Sequence, residues 1–78
     1  MPFDRAHFSE LIAELGFPSS IASFDGPGEG ECYVIQGDGS GWAVYYAERG
    51  LRSGERAFPA EADALHYLLG WIVADNLR

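Results

Sequence analysis

A chain of 78 residues has room for one domain and none for a multidomain enzyme, because single domains run from about 50 to 200 residues. With 47% hydrophobic, 14% aromatic and only 22% charged residues, the composition belongs to a folded chain with a core rather than to a disordered one. Twelve acids face five arginines and no lysine, and the resulting net charge of −7 argues against binding nucleic acid or an anionic membrane surface.

The imbalance is uneven. Residues 1–40 hold seven acids and one arginine (net −6), whereas residues 41–78 hold five acids and four arginines (net −1), so the negative field belongs to the first half and its natural complement is a cationic partner. Cys32 is the single cysteine, which leaves no intrachain disulfide and fits a reducing compartment. No run of apolar residues is long enough to span a membrane, and Met1-Pro2-Phe3-Asp4-Arg5 does not resemble a secretory leader. The expectation is a soluble cytoplasmic protein forming one domain over residues 1–78.

The first periodic segment covers residues 4–15, where Phe8, Leu11, Ile12 and Leu15 share one helical face. Asp4 is placed to cap this helix and Gly16 to end it. The glycines and prolines of residues 16–30 punctuate the chain, with residues 21–24 as a possible short strand. Residues 31–36, Glu-Cys-Tyr-Val-Ile-Gln, predict a strand, Gly37-Asp38-Gly39-Ser40-Gly41 a hairpin loop, and residues 42–48 an antiparallel return strand. Alternation along that return puts Trp42, Val44 and Tyr46 on one face and Ala43, Tyr45 and Ala47 on the other. A turn over residues 49–54 and a short strand over residues 55–58 follow. Pro59, with Glu61 and Asp63 behind it, marks the start of a helix over residues 60–76 that buries Leu65, Leu68, Leu69 and Ile72, with Ala64 and Val73 widening the stripe. The order predicts an α+β fold: an N-terminal helix, a three- to four-stranded antiparallel meander and a C-terminal helix, with both helices on one face of the sheet.

Chemistry-bearing patterns are sparse. The runs Gly26-x-Gly28-x-Gly30 and Gly37-x-Gly39-x-Gly41 lack the spacing and the lysine of a phosphate loop and read as turns. Asp25, Glu29, Glu31 and Asp38 form the densest acidic group; without calcium-loop spacing, the group reads as a solvated edge or as a docking patch for a basic partner. His7 and His66 lie on separate helices with no nucleophile or metal partner, and Cys32 sits in an apolar strand, where a lone cysteine reads as a small buried hydrophobe. The expectation is a chain without catalytic residues, metal or cofactor. Tyr33, Trp42, Tyr45, Tyr46 and Trp71 exceed what one small core needs, so some of them suit a protein interface, either with a different protein or between two copies of this chain.

Trp42-Ala43-Val44-Tyr45-Tyr46-Ala47-Glu48-Arg49-Gly50, followed by Phe58-x-x-Glu61-x-x-Ala64-x-x-Tyr67-Leu68-Leu69, resembles small bacterial immunity proteins. These are encoded beside polymorphic or Rhs-type toxins, and some neutralise ADP-ribosyltransferase effectors delivered by type VI secretion. The resemblance spans about residues 31–70 and implies a non-enzymatic protein that binds a cognate toxin domain and occludes its active site. On that expectation Tyr33, Tyr45 and Arg49 face the partner, and Asp25, Glu29, Glu31 and Asp38 steer its basic surface. Trp42, Val44 and Tyr46 are then assigned to the core, and Tyr33 is left open to either face.

Overall fold

A computed structural model describes residues 3–28 and 30–76. Helix α1 (Arg5–Glu14) leads through a single 3₁₀ turn (Ser19–Ile21) into strands β1 (Ala22–Phe24), β2 (Cys32–Gly37), β3 (Trp42–Glu48) and β4 (Leu51–Phe58), and helix α2 (Glu61–Asn76) closes the order. The α+β class with terminal helices is as the sequence predicts.

Helix α1 begins and ends by local chemistry. The Asp4 carboxylate accepts the His7 backbone N–H at 2.9 Å, satisfying a donor that has no partner inside the helix. At the other end Gly16 takes φ +86°, and the N–H groups of Gly16 and Phe17 return to the carbonyls of Ala13 and Ile12. This pair of bonds is the Schellman stop that a left-handed residue permits. Because the helix stops there, Leu15 is left 41% exposed and only Phe8 and Ile12 are buried, so the apolar stripe is narrower than the spacing predicts.

The four strands are ordered β1-β2-β3-β4, but β1 runs parallel to β2, which corrects the expected all-antiparallel meander. Parallel neighbours ordinarily need a crossover of about a dozen residues. Here β1 pairs over three residues, roughly 10 Å of strand, so the segment 25–31 is long enough to return. Asp25, at φ +66°, donates its N–H to the Ile35 carbonyl at 2.8 Å, and the Ser23 hydroxyl donates to the Gly26 carbonyl at 2.6 Å, fixing the point where the chain doubles back.

The predicted turn over residues 49–54 is also corrected. Arg49 and Gly50 both take positive φ (51° and 79°), the signature of a two-residue type I′ hairpin loop, so β4 starts at Leu51 and not at residue 55. Ser53 and Gly54 read as turn residues but lie inside the strand. Between the pairs Val44↔Arg56 and Tyr46↔Ser53 the register shifts, with Gly54 and Glu55 opposing the single residue Tyr45. The glycine at φ +67° makes this bulge possible, and the Trp71 ring rests where a side chain would be.

Both helices cover the same face of the sheet. Tyr33, Ile35 and Val44 meet Phe8, Ile12, Ala64, Leu65, Leu68 and Ile72 in the main core, with Trp42, Tyr46 and Trp71 packed at its margin. The opposite face carries a second small core of Cys32, Val34, Tyr45 and Ala47. No helix among the described residues is long and apolar enough to cross a membrane.

The bulge yields a stability test. A Cβ at Gly54 would stand 2.8 Å from Trp71 Cη2 in a backbone conformation L-residues avoid, whereas a Cβ at Gly50 shares the positive φ but meets nothing within 4 Å. Gly54→Ala should cost about 2–4 kcal/mol and Gly50→Ala about 1 kcal/mol in urea unfolding, the difference being the displaced ring. Equal losses would show that Trp71 does not rest on the bulge.

Candidate functional site

An open groove of about 570 Å³ lies where the last turn of α2 passes over the sheet, lined by residues of β2, β3, β4 and α2 together with Ile21 and Glu31. Its position follows from register and periodicity. Tyr33 and Tyr46 are cross-strand partners whose rings meet edge to face with centroids 5.0 Å apart. Trp71, held against the bulge, meets Tyr33 on its other side at 5.1 Å. One turn further along α2, Asp75 and Asn76 reach the same wall.

Polar groups organise the rim. The Tyr33 hydroxyl donates to Asp75 Oδ2 at 2.7 Å, and the Tyr46 hydroxyl donates to Glu31 Oε2 at 3.3 Å. The Asn76 amide donates to the Ile72 carbonyl at 2.8 Å and, more weakly, to the Tyr33 oxygen at 3.4 Å. Burial and then the bond to Asp75 push the Tyr33 phenol up to about 12, and burial, followed by the charge of Glu31, raises that of Tyr46. Both hydroxyls therefore stay protonated and act as donors at neutral pH. Among the described residues the lining contains two carboxylates and no basic side chain. Asp75 stands in the last turn of α2, which has no basic residue to offset the negative end of the helix dipole.

Of the residues singled out in the sequence, Glu31 and Tyr33 are brought together in this groove. Tyr45 lies on the sheet face expected for it, opposite Trp42, Val44 and Tyr46, but it is 0% exposed and so is no partner-facing side chain. Pro27, Gly28, Gly30 and Glu31 line a cavity on that face together with Tyr45 and Arg49, Arg52 stacks its guanidinium 4.3 Å over the Tyr45 ring, and Gln36 Oε1 accepts the Tyr45 hydroxyl at 2.9 Å. Asp25 is not a free steering charge, because Arg5 grips both of its oxygens at 2.8 and 2.9 Å. The Asp38 carboxylate accepts the Ser40 N–H and hydroxyl at 3.0 and 3.1 Å and braces its own hairpin loop. The length of β2, roughly 20 Å, separates Asp38 from Glu31, so these acids do not form one patch. Glu29 lies outside the described residues. Arg49 is exposed in the tight turn and makes no ion pair with Glu48 or with a loop acid among the described residues.

Sequence reasoning missed Asp75 and Asn76 as members of a site, counted Trp71 only among the surplus aromatics suited to an interface, and in assigning strand faces gave Tyr46 to the core. One signal was legible: an acid in the last turn of a helix that has no base there is electrostatically misplaced for stability. The remaining candidates are structural. Cys32 is buried, and His7 sits 3.2 Å from the carboxylate of Asp4, while His66 stacks on Phe3 with centroids 4.3 Å apart. Among the described residues no group of three or more His, Cys, Asp or Glu side chains is arranged to hold a metal ion.

No family model matches the chain, and neither a curated protein nor a solved structure matches it.

Two outcomes check these placements. Tyr45→Ala should destabilise the fold by about 3–5 kcal/mol, as loss of a fully buried aromatic does, and a change near zero in chemical unfolding would contradict its burial. For Asp25, the hydrogen bond from Arg5 holds the carboxyl below its usual 3.8, so its contribution is full above that value and is lost as pH falls through the lowered folded-state pKa. Arg5→Met should therefore lower the melting temperature at neutral pH and flatten its fall on acidification from about pH 4 to pH 2. A variant with the wild-type acid slope would show that the pair does not form.

Proposed function

We propose that this protein is a cytoplasmic immunity protein that binds a cognate bacterial toxin domain and inhibits it by covering its active site, with no catalytic step of its own. The observation that carries this reading is the groove itself: a concave surface walled by Tyr33, Tyr46 and Trp71 and edged by Glu31 and Asp75, with no basic side chain among the described residues that line it, which suits a basic protein surface. The segment that resembles immunity proteins supplies β3, β4 and the first turns of α2, which carry Tyr46 and the bulge beneath Trp71.

Inhibition by occlusion needs complementarity and speed. Exposed carboxylates act over about 8 Å at physiological salt, so they orient an approaching basic surface without adding much to its final hold. Among the described residues Glu31, Glu48 and Asp75 are exposed acids beside the groove, and Glu31 is the member of the four-acid group expected from the sequence that lies there.

A second reading, an interaction module that pairs with its own copy, rests on β4, a sheet edge exposed from Leu51 to Ala57 with Leu51 73% accessible. That edge carries Arg52, Glu55 and Arg56 and is broken by the bulge, all features that discourage strand-to-strand pairing. Sedimentation at micromolar concentration separates the two readings, and a stable dimer would favour the second.

Co-expression with the toxin domain encoded beside its gene should restore growth, and the association rate of the purified pair should fall about 10-fold or more between low and high salt. Cells that die despite soluble expression of this chain would sink the immunity reading.

A further inference from the structure

We propose that the groove between β2, β3 and the last turn of α2 is the seat for one arginine side chain of the partner, its guanidinium bridging Glu31 and Asp75 over the faces of Tyr46 and Trp71. This deepens the reading of the groove as the partner surface and rests on it.

The chemistry selects the occupant. Each carboxylate spends one oxygen on a tyrosine hydroxyl, Glu31 Oε2 on Tyr46 and Asp75 Oδ2 on Tyr33, which leaves Glu31 Oε1 and Asp75 Oδ1 without a hydrogen bond from either phenol. A planar cation with several N–H donors meets two such acceptors at once and lies flat on an aromatic ring, whereas a lysine ammonium is a point charge that does one or the other. Phosphates and carboxylates are repelled. The same chain already uses the full arrangement once within its own fold, where Arg5 bridges Asp25 and Glu61 over the rings of Phe24 and Trp42, and uses its stacking half where Arg52 lies 4.3 Å over Tyr45. In the groove the carboxylates and aromatic walls are present, and no cation is among the described residues that line it.

A second, independent observation is the position of Asp75. A carboxylate beside the partial negative charge of a helix end is destabilising, and α2 has no basic residue in its last turn to relieve it. Its hydrogen bond to Tyr33 would form equally well with a neutral amide oxygen, so packing does not require the charge. A bound cation does.

The test titrates the intact protein with a blocked Gly-Arg-Gly peptide and its lysine and citrulline counterparts, following the Trp71 indole N–H and the Tyr46 ring by NMR. The arginine peptide should shift both resonances saturably in the millimolar range, with lysine at least 5-fold weaker and neutral citrulline silent. Asp75→Asn and Glu31→Gln should each weaken the arginine response about 10-fold. Asp75→Asn should at the same time leave the melting temperature of the free protein unchanged or raise it, which a merely structural carboxylate would not do. No saturable shift, a citrulline response equal to that of arginine, or lysine binding as tightly as arginine would overturn the proposal. Its fate is separable from that of the immunity reading. Arginine binding without protection from the toxin fails only the latter, and protection undiminished in the double variant Glu31→Gln, Asp75→Asn fails only the former.

Discussion

Four parts of the chain that are distant in sequence converge on the Arg5 guanidinium. It bonds both oxygens of Asp25 and, through Nε, Glu61 at 2.9 Å, and it lies 5.1 Å over Phe24 and 5.7 Å over Trp42. The start of α1, the end of β1, the start of β3 and the start of α2 are thereby held at one point. An isolated surface ion pair contributes little, about 0–1 kcal/mol, but a bidentate, ring-backed and partly shielded network is the arrangement in which such pairs do matter. The geometry also explains why Asp25 tolerates a left-handed backbone: its carboxylate is aimed at the cation while its N–H continues the ladder to Ile35.

With that corner held, the sheet has two apolar faces to cover and only two helices, both on one side. Tyr33, Ile35 and Val44 disappear beneath α1 and α2, whereas Cys32, Val34, Tyr45 and Ala47 lie beneath no helix. The crossover from β1 to β2 and the stem of Arg52 do that work instead. Covering apolar surface with a loop and the long stem of a charged side chain is an economical answer where no helix lies over that face among the described residues.

The groove arises from the same geometry. The bulge at Gly54 lets Trp71 settle on β4, and Trp71 then stands off the sheet as one wall, with Tyr33 and Tyr46 as the other. The carboxylates at its rim stabilise little: Asp75 opposes the dipole of its own helix, and Glu31 holds a long hydrogen bond.

Local signals were strong enough to be read directly from the sequence. Asp4 and Gly16 bracket α1, the β-branched and aromatic run around Val34 predicts β2, and the alternation from Trp42 to Glu48 assigns the correct residues to each face of β3, because capping, turn chemistry and strand period depend only on neighbours a few residues apart. What depends on distant pairing was not legible. The parallel direction of β1, the bulge that hides Ser53 and Gly54 inside a strand, the burial of Tyr45 and the capture of Asp25 by Arg5 are each decided by a partner about 7 to 20 residues away. The groove belongs to the second class as well: Tyr33 and Asp75 are 42 residues apart, and no local pattern marks two side chains that meet only when a helix end packs across a strand.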